Sequence, residues 1–308
     1  MKKLELLLLL STLSVMGTTA QEEDSASVTY SPTLGVYLLQ YGAEGQTYVD
    51  TLEPATKIDP VVSCDVTFDN LTNLYTYSYI LSLLPSSQQY LVSFQLFYSA
   101  DIQGRQKPSS RWDIFDIPGQ KNTEWSNTNI HSSGLHSDTT DIRPGGSMSG
   151  FSYKSDGLPI IINGYFEGNV PGLAFSAEPP TRMHELLSPI LAFPNNTVIR
   201  RTLGPKDPPT PFIALDFLDT LISMAQEALS LGWIEETYGE KIMNDLNDAR
   251  EKIEESPEDA KEILEALIPY IIDDGCDWAP PDPSQYHLTS EGCALLRYNV
   301  EYLIEQIE

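Results

Sequence analysis

The sequence predicts a two-part fold, an immunoglobulin-like β-sandwich followed by a four-helix bundle, and three observations carry that expectation. Before residue 204, apolar and polar residues alternate in short runs rich in Tyr, Val, Ile and Thr, the period-two signature of antiparallel sheet. After residue 211, apolar residues recur at three-and-four spacing, the stripe of an amphipathic helix. Between the two regions "GPKDPPTPF", Gly204 to Phe212, places four prolines in nine residues. Such a run forbids a helix and favours an extended, semi-rigid spacer. The expected division is a leader at 1–20, a β-domain at 21–203, a linker at 204–211 and a helical domain at 212–308.

The first twenty residues have the layout of a secretory signal. Lys2 and Lys3 precede an apolar run through Leu6–Leu10 and Leu13–Met16, and Thr18-Thr19-Ala20 precedes polar Gln21-Glu22-Glu23-Asp24. A spanning helix needs about 20 apolar residues, and this run is shorter and broken by Glu5, Ser11, Thr12 and Ser14. Cleavage after Ala20 and export are expected, without a lipid anchor and without a membrane span, in surroundings where disulfides persist.

In the β-region, "GVYLLQY" opens the series. "VVSCDVTF" alternates through Val62, Cys64, Val66 and Phe68, which makes Cys64 a buried small hydrophobe. "LYTYSYILSL" puts Tyr75, Tyr77, Tyr79 and Leu81 on one face, and "YLVSFQLFY" does the same with Val92, Phe94, Leu96 and Tyr98. Alternating tyrosines can stack sugars, but on an internal strand they are core. "SMSGFSYKS", "LPIIING" and "GLAFSA" complete the series, with a polar insertion between Ala100 and Gly145. Trp112, Trp125, His131 and His136 in that insertion are the candidate ligand-binding residues, because long ordered loops carry binding functions and indole faces stack on sugars.

No catalytic residue is assigned. In "RPGGSMSGF" the position between Gly146 and Gly150 is Met148, so the Gly-x-Ser-x-Gly elbow fails. His131, His136, Asp138 and Asp141 match no metal or acid/base template. A second carboxylate for glycoside cleavage can come from anywhere in the chain, which keeps an extracellular polysaccharide hydrolase or lyase as the alternative function.

The helical region reads in order. "FIALDFLDTLISMAQEALSLGWI" carries Phe217, Leu218, Leu221, Ile222, Ala225 and Leu229 on one stripe and ends at Gly232, a C-terminal cap. "EKIMNDLNDAREKIEE" aligns Ile242, Leu246, Ala249 and Ile253, with Asp248/Lys252 and Arg250/Glu254 at i,i+4. "SPEDAKEILEALIPYII" begins with Ser256 as N-cap, Pro257 in the first turn and Glu258 and Asp259 in the positive first turn. "TSEGCALLRYNVEYLIEQI" places Leu296, Val300, Leu303 and Ile307 inward behind a Thr289 or Ser290 cap.

Cys276 and Cys293 bracket the proline-laced connection before that last segment. Zinc needs about four ligands at ligand-like spacing and redox work expects Cys-x-x-Cys; neither pattern is present, so a disulfide clamp is expected. Asp273, Asp274, Asp277 and Asp282 offer oxygen donors for calcium, but their spacing departs from the EF-hand loop and solvated carboxylates are the plainer account. No cofactor is otherwise implied.

Charge narrows the partners. The chain holds 44 acidic and 18 basic residues, and 23 of the former but 5 of the latter lie from Phe212 onward. A net charge of −26 repels nucleic acid and anionic membrane surfaces. The stretches "FLDTLISMAQEALSLGWI", "LNDAREKIEESPEDAKEILEALI" and "LTSEGCALLRYNVEYLIEQI" resemble the FIMAH domain, a helical module of secreted bacterial proteins. The resemblance covers residues 212–308 and implies an accessory, interaction-type role with no catalytic residues to carry over. The expected function is therefore a secreted, non-catalytic interaction protein whose partner is a glycan, an extracellular matrix component or a cell-surface protein.

Overall fold

Where the alternating segments meet water on one side only, they pair as antiparallel sheet. The computed structural model describes residues 25–127, 141–170, 173–276 and 287–307. Their twelve strands lie in sheets of three, four and five. The chain divides into two compact units, Met1–Lys57 with Glu167–Thr197, and Ile58–Phe166 with Val198–Glu308.

The first unit is a meander of β1 (Ala26–Ser31), β2 (Val36–Ala43) and β3 (Gln46–Leu52), covered by helix α1 (Thr181–Leu191). Ala43 pairs with Gln46, so Glu44 and Gly45 form a two-residue turn. Both have positive φ, 52° and 72°, the type I′ geometry that matches strand twist. Met183 and Leu187 of α1 bury Leu39, Tyr41 and Leu52 in a small core of their own. "GLAFSA" supplies no strand over 173–177; Phe175 instead packs on that core.

The second unit stacks two sheets. β4 (Pro60–Asp69), β5 (Leu74–Leu83), β10 (Ser147–Ser155) and β7 (Ile102–Gln106) lie in the order β4-β5-β10-β7. β12 (Val198–Lys206), β11 (Leu158–Gly168), β6 (Leu91–Phe97), β9 (Asn122–Asn127) and β8 (Trp112–Phe115) form the other, in the order β12-β11-β6-β9-β8. Aromatic side chains interdigitate between them: Tyr79 meets Phe94 edge-on at 5.5 Å, and Trp125 stacks on Tyr153 at 6.1 Å. The tyrosine hydroxyls buried there are satisfied, Tyr77 donating to the Gly157 carbonyl at 2.8 Å and Tyr79 to that of Leu203 at 2.9 Å.

Helices α2 (Ala214–Ser230), α3 (Glu236–Lys252), α4 (Pro257–Pro269), a π-helical turn Tyr270–Gly275, and α5 (Ser290–Gln306) follow. They do not stand apart. Their buried residues, among them Leu221, Leu246, Leu264 and Leu303, belong to the same continuous core as Tyr77, Phe94 and Trp125. The reason is α5. β4 ends its sheet, and an edge strand leaves peptide groups unpaired. The Glu291 carboxylate accepts the Cys64 N–H at 2.6 Å, and the Tyr298 hydroxyl donates to the Val66 carbonyl at 3.2 Å. Asn299 ties α5 to the other sheet, donating to the Pro159 carbonyl at 2.9 Å.

This overturns the expectation of an immunoglobulin-like sandwich followed by a four-helix bundle. The described molecule is mostly β, in three sheets, with five short helices, and the helices share a core with two of the sheets. The presumed insertion between Ala100 and Gly145 supplies β7, β8 and β9 to those sheets. The proline-rich segment begins inside β12, where Gly204 and Pro205 pair with Ile160 and Pro159. Proline is tolerated there because β12 is an edge strand. The leader at 1–20 lies outside the described residues.

Glu291 is 5 % exposed, so replacing it by Ala leaves a buried N–H without a partner. Glu291→Ala should lose about 1–3 kcal/mol in urea unfolding, and Glu291→Gln, which keeps an acceptor, clearly less. Because the second unit has one core, the fluorescence of buried Trp112 and Trp125 and the helical circular dichroism should change in one coincident thermal transition. Two separated transitions for these signals would contradict the shared core.

Candidate binding cleft

The outward face of the four-stranded sheet is polar because its strands alternate. Cys64, Val66, Tyr77, Tyr79, Phe151 and Tyr153 point into the core, so the intervening residues point out. Register then aligns them: Asp65 lies opposite Ser78, Ser78 opposite Ser152, and Ser152 opposite Gln106. At about 4.8 Å between strands, this row of four spans about 14 Å. It forms part of the floor of a cleft of about 1730 Å³.

The opposite wall comes from the helices. α2 ends at Gly232, whose φ of +72° allows the Trp233 N–H to bond the Ala228 carbonyl and the Gly232 N–H that of Leu229. This Schellman cap turns the chain so that Trp233, half-buried, lines the cleft. The turn is stitched to the chain entering α5: Thr289 N–H bonds the Trp233 carbonyl at 2.9 Å, and Glu235 N–H that of His287 at 2.8 Å. Gly292 makes the approach possible, since a Cβ there would fall 2.4 Å from the Trp233 carbonyl oxygen. Thr289 caps α5, accepting from the Gly292 N–H; Glu235 caps α3, accepting from the N–H groups of Thr237 and Tyr238. Ser256 sits at the N-cap of α4 without a capping hydrogen bond, and Arg250 reaches across to Asp219 of α2.

Four carboxylates line the cleft, Asp65, Glu235, Glu236 and Glu240, and among its described lining residues none is Lys or Arg. Partial burial lifts the Asp65 carboxyl above its ordinary value of 3.8; a backbone hydrogen bond at Val66 opposes this and the charge of nearby Glu291 adds to it. One oxygen of Asp65 is buried without a hydrogen-bond partner. Glu235 is held below its ordinary value, because the N–H groups of Tyr238 and Thr237 and the His287 ring outweigh the desolvation that opposes them. His287 lies flat on Tyr238 at 4.7 Å, Tyr238 on Tyr270 at 4.3 Å, and the Lys241 ammonium sits 4.5 Å above Tyr270.

The residues singled out from sequence fall in several places. Cys276 and Cys293 form a disulfide and both line the cleft. Trp112 and Trp125 are wholly buried, stacked in the aromatic core with the Trp125 indole N–H donating to the Gln106 carbonyl at 2.8 Å. They build the floor from beneath rather than offering a face to a sugar. His131 and His136 lie outside the described residues, as do Asp277 and Asp282 of the acidic cluster. Asp273 and Asp274 belong to the π-helical turn. Among the described residues no group of three His, Cys, Asp or Glu is placed to hold a metal. Sequence reasoning missed Asp65, the serine row and Glu291. The signal for the first two was present in the outward phase of the strands, but their alignment depends on register between distant segments. Neither a protein-family model nor a curated protein matches this chain.

The 17-residue separation of the cysteines closes a loop worth about 3 kcal/mol in chain entropy. The Cys276→Ser, Cys293→Ser double variant should lose close to that amount in urea unfolding. For Asp65, a raised folded-state pKa means that the folded form holds its proton more tightly than the unfolded form. Stability is then lost as pH rises from about 3.8 through the folded-state value. Asp65→Asn should accordingly raise the melting temperature at pH 7 and leave it unchanged at pH 3. A lower melting temperature at pH 7 would show that the charge is compensated.

Proposed function

We propose that this chain is a secreted, non-catalytic interaction protein whose cleft holds an extended segment of an extracellular partner. The observation that carries the reading is the polar row Asp65-Ser78-Ser152-Gln106 facing a wall of carboxylates and Trp233. Ligand pockets for small molecules occupy about 300–1,000 Å³; this cleft is larger and suits part of a polymer. Export is supported by the leader-like first twenty residues and by the disulfide, which persists in oxidising surroundings. Among the described residues no helix is long and apolar enough to cross a membrane. The resemblance of residues 212–308 to the FIMAH module supports an accessory role.

A second reading, polysaccharide cleavage, draws on the raised Asp65 carboxyl near Glu291. Against it, Glu291 is taken up by the Cys64 N–H and the Ser290 hydroxyl, which suits a structural carboxylate.

Screening the full chain on immobilised glycans and extracellular proteins should find a partner whose binding weakens about tenfold, close to 1.4 kcal/mol, in Trp233→Ala and disappears in Ser78→Arg, which fills the floor. Binding indifferent to both variants would remove the cleft as the site. Release of reducing ends from a polysaccharide, lost in Asp65→Asn, would replace binding by cleavage.

A further inference from the structure

We infer that the cleft takes an extended polypeptide segment bearing lysine or arginine, about four residues long, with a cationic side chain on Asp65 and others along the Glu236 and Glu240 wall. The inference rests on the cleft being a binding site and adds the ligand's chemistry.

Four features of the cleft argue for it independently of the protein's overall acidity. The first is local charge: four carboxylates line the cleft with no Lys or Arg among the described lining residues. Elsewhere on this unit, carboxylates beside basic residues are paired, as in Arg105–Asp116, Lys107–Asp113, Arg200–Asp59 and Arg201–Glu227. Glu235 is engaged by His287 and by the first N–H groups of α3, which leaves Asp65, Glu236 and Glu240 as the negative charge gathered around a concave surface, and low-dielectric walls focus such a field on an incoming cation.

The second feature is Asp65, whose buried oxygen has no donor. An ammonium or guanidinium in the cleft supplies a countercharge to this half-buried carboxylate, and charge-assisted bonds are about twice as strong as neutral ones. The raised pKa of this carboxyl agrees with a group that lacks a countercharge in the free protein.

The third is length. A floor row of about 14 Å matches about four extended residues at 3.3–3.6 Å each, and its Ser and Gln side chains can donate to and accept from a peptide backbone. The fourth is Trp233, half-buried in the wall, whose ring suits the aliphatic stem or the cationic head of Lys or Arg. A neutral glycan would leave Asp65, Glu236 and Glu240 without countercharge, and an acidic glycan would be repelled.

The test uses the full chain and two synthetic peptides, tetra-arginine and tetra-citrulline, which share shape but differ in charge. Calorimetry at low salt should show tetra-arginine binding at least about tenfold tighter than tetra-citrulline. Asp65→Asn and Glu240→Gln should each weaken it several-fold, and Glu262→Gln with Glu265→Gln, on the exposed face of α4, by less than about twofold. If the α4 pair weakens binding as much as the cleft pair, attraction is diffuse and the inference falls. If a glycan binds and is lost in Trp233→Ala while tetra-arginine ignores the cleft variants, the binding site stands and its cationic ligand does not. If no ligand responds to Trp233→Ala or Ser78→Arg, both readings fall together.

Discussion

The second unit depends on how the open edge of β4 is sealed. A strand that ends a sheet presents N–H and C=O groups that must find partners, water, or another chain. Here the partners are side chains of the last helix. Glu291 and Tyr298 are seven residues apart, two turns on one face of α5, a rise of about 10.5 Å. The groups they satisfy, Cys64 N–H and Val66 C=O, are two residues apart, about 6.8 Å along the strand. The long tyrosine, leaning back toward the helix N-terminus as helical side chains do, spans the difference. Tyr298 also packs edge-on against Tyr75 at 5.0 Å, so the hydrogen bond and the apolar contact reinforce each other.

That seal places everything else. With α5 anchored on β4, the chain entering it at His287–Thr289 runs beside the Gly232–Glu235 turn, and the bridge between Ile234 and Leu288 joins two segments more than fifty residues apart. The disulfide pins the end of the π-helical turn to the first turn of α5. A helical wall is thereby held over the polar face of the sheet without being packed against all of it. The cleft is the space left between a surface that must stay hydrated and a layer fastened to it along one edge. Its chemistry follows from composition: the helical region is the acidic part of the chain and contributes three of the four lining carboxylates, with Asp65 the exception from the sheet.

Local patterning was legible to different depths. Period-two alternation located β4, β5 and β6, and helical spacing located α2 to α5, because apolar residues recur in each at the period of its backbone, although β6 and α5 are buried on nearly every side. Other strands escaped. β12 reads "VIRRTLGPK", in which charged residues sit beside the glycine and proline that signal a break; only its pairing with β11 makes it strand. α1 escaped because "TRMHELLSPIL" carries an internal proline and commits only Met183 and Leu187 to burial. Trp112 and Trp125 read as ligand-binding candidates because they fall in a long polar, turn-rich stretch, yet β8 and β9 pair into the sheet and both indoles are buried.

The sequence alone determined the elements whose apolar residues recur at a clear period, the capping glycine at 232, the pairing of Cys276 with Cys293, and the acidity of the helical region. Tertiary structure decided what those elements are fastened to. An amphipathic stripe shows that a helix must cover something apolar, but the same stripe serves another helix or a sheet. Nor can alternation say which outward residues of distant strands fall in one row, because register is a property of the pair. The edge of β4, the row from Asp65 to Gln106 and the cleft above it exist only once both choices are made.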